Sequence, residues 1–266
     1  MEGLYRTLNI CETKRMSNEA SMTGQVAVVT GGGGGIGSAI CRRLAEAGAK
    51  VLLTYRRSEE KAKDVATSLA SDGHLAVQAP VDDSAALTRL AELITERYGT
   101  LDLLVNCAGI TYPVPHTDLE GLTDEMIDEI FRTNWRGAFA SVRALKNLLE
   151  IGDGGVVINI SSIAAVTGIG SNVAYCASKA ALNAMTISLG RALAPKIRVV
   201  SVSPGWVYGE YAKRVDPAYL QEQIDKTPLD RLATATDVAE TVLAAATMLP
   251  FTTGSIIPVD GGRVFV

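Results

Sequence analysis

The feature that most constrains this chain is a run of five glycines between an apolar segment and a helical pattern. The apolar segment Val26–Val29 is rich in β-branched residues, which is typical of a buried strand in a parallel sheet. After Thr30 and the glycines, apolar residues recur at Ile36, Ile40 and Leu44, the spacing of one helix face. A strand, a glycine turn and a helix predict a nucleotide site, because glycines let backbone N–H groups approach a pyrophosphate at the helix N-terminus. The alternative, a flexible linker, is rarely clamped between two such elements.

The composition is that of one α/β domain with a substantial core. The chain has 266 residues, 47% of them hydrophobic and 20% charged. A net charge of −4 gives no support to a nucleic-acid partner. No apolar run is long enough to span a membrane, and residues 1–23 lack the apolar core of a secretory signal. The cysteines have neither zinc-site nor disulfide-framework spacing, so we expect no metal and the reduced thiols of a cytoplasmic protein: Cys11, Cys41, Cys107 and Cys176.

From Gly24 onward, apolar strand patterns alternate with amphipathic helix patterns. The strands are predicted over 26–30, 51–54, 75–79, 103–106, 156–161, 198–202 and 255–259. The helices are predicted over 35–47, 58–70, 84–98, 123–149, 173–193 and 236–248. Such alternation predicts βαβ units with right-handed crossovers, and therefore a parallel sheet with helices on both faces.

Two segments do not follow this alternation. Residues 1–23 are predicted to form an N-terminal extension. The extension is an arm that packs on a neighbouring subunit, or a disordered segment, or a stretch that is not translated because the true start codon is that of Met16 or Met22. Residues 206–230 carry Trp206 and three tyrosines, among them Tyr211, beyond the carboxyl end of a strand. Because ligands bind at that edge of such sheets, this segment is predicted to be a substrate lid.

The end of the second predicted strand indicates which nucleotide is bound. The strand is followed by Tyr55-Arg56-Arg57-Ser58, and no acidic residue occurs before Glu59. An acidic residue here would accept hydrogen bonds from the ribose hydroxyls of NAD, whereas an arginine offers a fork that matches a 2′-phosphate. Arg56 is therefore predicted to select NADP(H). The alternative is that both arginines are exposed loop charges.

A candidate acid/base pair lies on the predicted helix 173–193. Tyr175 and Lys179 are one helical turn apart on a single face. A tyrosine titrates near pH 10, so a neighbouring ammonium that lowers its pKa would make it a better acid/base group at neutral pH. The pair alone is a weak signal, but other polar motifs end neighbouring strands: Asn106-Cys107-Ala108-Gly109, Ser161-Ser162 and Pro204-Gly205.

Together these motifs resemble the short-chain dehydrogenase/reductase family over residues 24–266. The shared motifs are Thr30-Gly31-x-x-x-Gly35-Ile36-Gly37, the Asn106–Gly109 turn, Tyr175-x-x-x-Lys179 and the ending Thr253-Gly254 to Val259-Asp260-Gly261-Gly262. The resemblance implies a single Rossmann-type doubly wound domain with a seven-stranded parallel sheet of order 3-2-1-4-5-6-7. It also implies these cofactor-binding residues: Thr30, Gly31, Gly34, Gly35, Ile36, Gly37, Arg56, Val81, Asn106, Ala108, Gly109, Tyr175, Lys179, Pro204, Gly205 and Val207.

The resemblance further implies a catalytic set of four residues. Tyr175 would exchange a proton with the substrate oxygen, and Ser162 would hold that oxygen, leaving Ser161 a structural role. Lys179 would bind the nicotinamide ribose and, together with an oxidised nicotinamide, lower the pKa of Tyr175. Asn134 would anchor a water that links Lys179 to solvent. The family usually forms tetramers through the two long helices, here 123–149 and 173–193, and the last strand, so we expect a homotetramer or a homodimer with an apolar C-terminus buried against a partner.

One departure from the family pattern affects the adenine end of the cofactor site. The third strand ends in Pro80-Val81, where many relatives have Asp-Val. The side-chain contact of the usual aspartate is therefore lost, and the sequence leaves open whether Asp82 replaces it.

The overall pattern most resembles 3-oxoacyl-(acyl-carrier-protein) reductases. It implies an NADP(H)-dependent enzyme that transfers a hydride between nicotinamide and a carbonyl or acyl-thioester substrate. A basic patch for an acidic carrier protein is only partial, since Arg191 and Lys196 are accompanied by Glu150 and Asp153. The alternatives are an enzyme for a free small ketone, sugar or steroid alcohol, and a non-catalytic nucleotide-sensing regulator.

Overall fold

Seven parallel strands form the central sheet of the computed structural model, which describes residues 20–209 and 216–265. The described residues contain nine strands, of which β7 and β8 lie outside this sheet: β1 (Val26–Thr30), β2 (Lys50–Tyr55), β3 (Leu75–Gln78), β4 (Leu103–Asn106), β5 (Gly155–Ile160), β6 (Ile197–Pro204), β7 (Val207–Tyr208), β8 (Ala233–Thr234) and β9 (Ile256–Val259). The order in the sheet is β3-β2-β1-β4-β5-β6-β9. This order confirms the prediction, with β9 as the seventh strand because β7 and β8 pair separately beside the sheet.

The helices alternate with the strands. They are α1 (Gly35–Glu46), α2 (Glu59–Ser68), α3 (Ser84–Arg97), α4 (Asp124–Phe131), α5 (Ala138–Leu149), α6 (Ala164–Thr167), α7 (Val173–Ala192), α8 (Pro217–Asp225) and α9 (Ala235–Thr247). The N-cap residues of α3, α7 and α9 are Asp83, Asn172 and Thr234, which directly precede these helices. Each of their side chains accepts a hydrogen bond from a backbone N–H in the first turn of its helix. Such caps satisfy donors that the helix itself leaves unpaired, which explains why the helices begin at these residues.

Apolar side chains fill both sides of the sheet. One layer lies between the sheet and α1, α2 and α9, and the other lies between the sheet and α3, α5 and α7. All five residues of β1 are buried, which explains its unbroken apolar pattern. Met22 is also buried in the first layer, and its N–H donates to the Ala47 carbonyl at 2.7 Å. The folded part of the chain therefore includes residues ahead of Gly24, within the predicted extension; residues 1–19 lie outside the described part.

The chain changes direction across the sheet between β1 and β4. Strand β1 is hydrogen-bonded to β2 on one side and to β4 on the other, and Thr30 aligns with Thr54 and Asn106 at their carboxyl ends. The crossovers that follow β1 and β4 lead to opposite halves of the sheet, so they leave a crevice between them. A crevice at such a switch point is where ligands bind in doubly wound sheets.

The prediction of one helix over 123–149 is wrong in its middle. Helices α4 and α5 are separated by a π-helical turn, Arg132–Gly137. The turn buries Asn134, whose side chain bonds the loop after β4. A π turn adds one residue to a helix without a proline or glycine break, so hydrophobic spacing alone did not reveal it.

The predicted lid is partly described. Residues 206–230 contain β7 and helix α8, which sequence periodicity did not predict. Trp206 and Tyr219 of this segment form an edge-to-face ring contact with centroids 5.8 Å apart. Tyr211 lies outside the described residues. Over the described ranges, no helix combines the length and apolarity that a membrane crossing requires.

Candidate active site

The glycine turn after β1 combines tightly packed glycines with open ones. Gly31 has a positive φ of 67°, and a Cβ there would lie 2.9 Å from Ala108 Cα. A Cβ on Gly37 would collide with the Gly31 carbonyl oxygen, whereas a Cβ on Gly35 would have no atom within 4 Å. The packed glycines shape the turn, and the open ones leave a shallow cradle in front of α1.

This cradle fits the pyrophosphate of a nicotinamide dinucleotide. Gly34 caps α1 without a side-chain hydrogen bond, and the first turn of α1 carries no acidic residue. The first N–H groups of a helix have no partner within the helix and carry a partial positive charge. Gly35, Ile36 and Gly37 therefore present donors where an anionic group of the cofactor would lie.

Thr30 joins the glycine turn to the predicted turn Asn106–Gly109. Its Oγ1 accepts hydrogen bonds from the N–H groups of Cys107 and Ala108, at 3.0 and 3.1 Å. A Cβ added to Gly109 would lie 3.4 Å from Asn134 Oδ1 and 3.7 Å from Lys179 Nζ. The structure thus brings the cofactor-binding turns predicted from the sequence into contact with the predicted catalytic residues.

Asn134 fixes the loop after β4 to the helix that carries Tyr175. Its Oδ1 accepts from the Ile110 N–H at 2.8 Å, and its Nδ2 donates to the Ile110 carbonyl and to Ser178 Oγ, both at 3.0 Å. Ser178 Oγ in turn donates to the Tyr175 carbonyl at 2.8 Å. These contacts give Asn134 a positioning role, and its role as a water anchor stays a prediction.

Tyr175 lies in the first turn of α7, where Asn172 caps the helix. Asn172 Oδ1 accepts from the Tyr175 N–H at 2.7 Å. Burial raises the pKa of the Tyr175 hydroxyl, and a hydrogen bond with Ser162 opposes that change only in part. Desolvation of the phenolate is the main cause of this rise, and the predicted lowering of the pKa by Lys179 together with an oxidised nicotinamide stays a prediction. A raised pKa keeps Tyr175 protonated at neutral pH.

Lys179 is a buried cation beside Tyr175. Its Nζ donates to the Ile160 carbonyl at 2.8 Å and lies 5.8 Å from the centre of the Tyr175 ring. Burial lowers the pKa of Lys179 from 10.5 to about 8, since a charge inside the protein loses its hydration. An ammonium has three donors, so this side chain can also bind the hydroxyls of a ribose.

The serine turn and the turn after β6 lie side by side. The Ile163 N–H donates to the Pro204 carbonyl at 3.0 Å, which places Ser162 next to Gly205. Ser161 is buried, and its Oγ donates to the Lys179 carbonyl at 3.3 Å, in line with a structural role. Val207 packs partly buried against the core as part of β7.

Arg56 follows β2 at the carboxyl edge of the sheet, with two carboxylates near it. Its guanidinium is 3.4 Å from Glu129 Oε1 and 3.9 Å from Asp82 Oδ2. The absence of an acid directly after β2 therefore does not leave Arg56 without acidic neighbours, because Glu129 of α4 and Asp82 after β3 reach it. Asp82 faces Arg56, whereas Val81 is buried against Gly137 of the π turn.

Comparisons with known proteins agree with this geometry. The profile of a family described as Enoyl-(Acyl carrier protein) reductase matches residues 31–263. Ketoacyl reductase 2 of the granaticin polyketide synthase of Streptomyces violaceoruber is 38% identical over 89% of this chain and 95% of its own length. The 3-oxoacyl-(acyl-carrier-protein) reductase FabG of Staphylococcus aureus is 32% identical over 89% of this chain and 96% of its own. A crystal structure of a short-chain dehydrogenase/reductase from Burkholderia xenovorans is 31% identical, has a TM-score of 0.83, and covers 92% of this chain and 100% of its own.

The chain belongs to the short-chain dehydrogenase/reductase family. It is accordingly an oxidoreductase that acts on carbonyl groups. Members of this family generally use nicotinamide cofactors. The described residues contain no group of three His, Cys, Asp or Glu side chains placed to hold a metal ion.

The chemistry of this short-chain dehydrogenase/reductase follows from the positions of its side chains. A bound nicotinamide would supply or accept the hydride at the substrate carbon. The neighbouring hydroxyls of Ser162 and Tyr175 could both hydrogen-bond a substrate carbonyl oxygen, and protonated Tyr175 would be able to donate its proton to that oxygen during reduction. Lys179 would add a positive charge near the developing oxyanion, and Asn134 links the loop after β4 to α7.

Several residues of this site were not predicted from the sequence. Asn172 caps the helix of Tyr175, and an asparagine just before an apolar helical pattern is a capping signal that could have been noted. Ile110 acts through its backbone, so its side-chain type carried no signal. Tyr112 and Glu129 are hydrogen-bonded near Arg56, and nothing in their local sequence indicated the contact.

Proposed function

We propose that this protein is an NADP(H)-dependent reductase of 3-oxoacyl thioesters. The observation that carries the proposal is the buried Tyr175 hydroxyl, hydrogen-bonded to Ser162 and close to Lys179. Its raised pKa favours the protonated form, which is the form that donates to a carbonyl oxygen.

The choice of NADP(H) rests on the residues after β2. Tyr55 ends the strand and Arg56 and Arg57 follow it, so no carboxylate is available at the usual place for binding the ribose of NAD. A guanidinium gives a 2′-phosphate a charge-assisted hydrogen bond. The side chain of Arg56 is 36% exposed, so a ligand can reach it.

Two observations bear on the substrate. The named relatives include two enzymes that reduce ketoacyl or 3-oxoacyl substrates, as their names state. Glu150, which argued against an acidic carrier protein, is paired with Lys146 at 2.7 Å, so its charge is partly neutralised. A free cyclic ketone is the alternative, and the half-exposed Tyr208 and the Trp206–Tyr219 contact in the lid favour it.

The proposal is tested by following cofactor oxidation with a panel of ketones. A 3-oxoacyl thioester should be reduced faster than a free cyclic ketone or a keto sugar. NADPH should bind more tightly than NADH by about 1.5–3 kcal/mol, as expected for a charge-assisted contact. Arg56→Ala should remove that preference, whereas Arg42→Ala, which removes an exposed arginine of α1, should keep it. Equal affinity for the two cofactors in the wild-type protein would contradict the cofactor assignment.

We also propose that the protein is a homotetramer. Trp135 and Phe139 are partly exposed and stacked, with ring centroids 6.2 Å apart, and Ile187 is exposed on α7. Strand β9 is an edge of the sheet, and Phe251 just before it is fully exposed. Apolar surface and an open sheet edge both favour association with another copy. Val264 is half-buried, and the side chains of residues 265–266 lie outside the described part.

Light scattering at micromolar concentration should give four times the mass of one chain. A dimer would restrict the interface either to the surface around Trp135 and Phe139 or to the edge of the sheet at β9. Replacing Phe139 or Phe251 with a polar residue would show which of these two surfaces is used. A monomer at this concentration would contradict the proposal.

Location in the cytoplasm completes the proposal. Cys41, Cys107 and Cys176 are free thiols, as expected in a reducing compartment.

A further inference from the structure

Arg56 belongs to a cluster of charges that brings three parts of the chain together. Arg56 directly follows β2, Glu129 lies on α4, and Asp82 follows β3. Tyr112, in the loop after β4, donates a hydrogen bond from its hydroxyl to Glu129 Oε2. The Glu129 carboxylate therefore has one oxygen near Arg56 and the other held by Tyr112.

The cluster is firmly placed on both sides. The Tyr112 carbonyl accepts from Asn172 Nδ2 at 2.7 Å, and the same Asn172 caps the helix of Tyr175. Glu129 lies on α4, which leads into the π turn that Asn134 anchors. The nearby Arg56 and the hydrogen bond from Tyr112 both lower the pKa of Glu129, so its carboxylate is charged at neutral pH. A preorganised charge acts on a ligand without needing to be ordered first.

Such a cluster opposes a phosphate and tolerates a hydroxyl. A 2′-phosphate carries a charge between −1 and −2 at neutral pH, much like a phosphorylated side chain. On Arg56 it would lie near the carboxylates of Glu129 and Asp82, and like charges at such distances repel. A ribose 2′-hydroxyl can instead donate a hydrogen bond to a carboxylate. The two carboxylates therefore weaken the preference for NADP(H) over NAD(H) that Arg56 alone would create.

We propose that Glu129 sets the cofactor selectivity of this enzyme by competing with the 2′-phosphate of NADP(H) for Arg56, and that the Tyr112 hydroxyl holds Glu129 in the competing position. The inference rests on the proposed binding of the adenosine ribose beside Arg56. Glu129 is a specificity-determining residue that acts through Arg56, and Tyr112 is a positioning residue for Glu129. Asp82 acts in the same direction but more weakly, since it lies farther from the guanidinium.

The experiment measures Kd for NADPH and NADH by nicotinamide fluorescence on the purified protein. Glu129→Gln keeps the size of the side chain and removes its charge, so NADPH should bind about fivefold or more tightly, as expected for the loss of one nearby like charge. NADH affinity should stay the same or fall. Tyr112→Phe should shift the NADPH/NADH ratio in the same direction by a smaller factor, and it should add nothing in the Glu129→Gln background. A gain in affinity for one cofactor is a result that structural damage does not produce.

The matched control is Glu125→Gln, which removes an exposed carboxylate one turn earlier on α4 and should leave the ratio of the two Kd values unchanged. The inference is overturned if Glu129→Gln leaves that ratio at the Glu125→Gln value or weakens NADPH binding. Failure of the proposed cofactor has a different signature: the wild-type protein would prefer NADH. In that case Glu129→Gln would still move the ratio toward NADPH if Glu129 has the role inferred here.

Discussion

Replacing Tyr175 with Phe should lower turnover by about 10²–10⁴-fold, the range typical for the loss of a general acid. The ring and its packing in α7 remain, and only the hydroxyl that bonds Ser162 is removed. The carbonyl oxygen would then lose its proton donor and one of its two hydrogen-bond partners. Cofactor affinity should remain near the wild-type value, because the glycine turn and Arg56 lie elsewhere in the crevice.

The measurement is steady-state turnover on a good ketone substrate, with Kd for NADPH determined on the same samples. Tyr208→Phe is the matched control, since it removes a hydroxyl from a half-exposed tyrosine of the lid. Near wild-type turnover in Tyr175→Phe would show that the acid is assigned to the wrong residue. Loss of turnover in Tyr208→Phe would then identify the lid as its source.

Replacing Lys179 with Met should reduce activity and raise stability at the same time. Turnover and cofactor affinity should both fall, because the ammonium lies beside Tyr175 and has donors free for a ribose. The shift of the Lys179 pKa from 10.5 to about 8 corresponds to about 3 kcal/mol of lost stability when the side chain is charged. Met would remove this cost but would leave the Ile160 carbonyl without its donor, which costs about 1–3 kcal/mol. A net gain of up to about 2 kcal/mol is therefore expected for Lys179→Met at pH 7, and Met fills a volume similar to that of Lys.

The pH dependence of unfolding checks this explanation. Between about pH 8 and pH 10.5 the unfolded wild-type chain binds more protons at Lys179 than the folded chain does, so wild-type stability should rise with pH. The advantage of Lys179→Met should therefore be largest below pH 8 and vanish toward pH 10.5. Thermal unfolding at pH 7 and pH 10 measures both values, with Lys63→Met as an exposed control. If Lys179→Met were less stable than the wild type at pH 7, the explanation that burial of the Lys179 charge destabilises the fold would be wrong.

Much of the fold could be predicted because the sequence signals were local. The unbroken apolar run of β1 and the glycines after it depend only on residues within one turn of the chain. The glycine turn and the pair of Tyr175 and Lys179 are local motifs, and the resemblance to the family implied the catalytic role of the pair. Their mutual contacts follow from the sheet order, which brings the carboxyl ends of the strands to one edge.

The remaining features depend on contacts between distant parts of the chain. The π turn exists because Asn134 bonds Ile110 and Ser178, two partners that no helical spacing connects. Glu129 meets Arg56 across 73 positions of sequence, so the residues after β2 gave an incomplete account of the charge around the guanidinium. The direction of the Tyr175 pKa shift could not be predicted either, because it depends on how deeply the hydroxyl is buried.

The π turn also changes how the two halves of the helical segment 124–149 are rotated relative to one another. A single additional residue rotates everything after it by about 100° relative to what came before. The half that carries Glu129 thus faces Arg56, while the half that begins at Ala138 packs against α3, with Leu145 in the core and Phe139 at the surface. One continuous helical segment therefore serves both the charged cluster around Arg56 and the core, because the turn sets the rotation between its two halves.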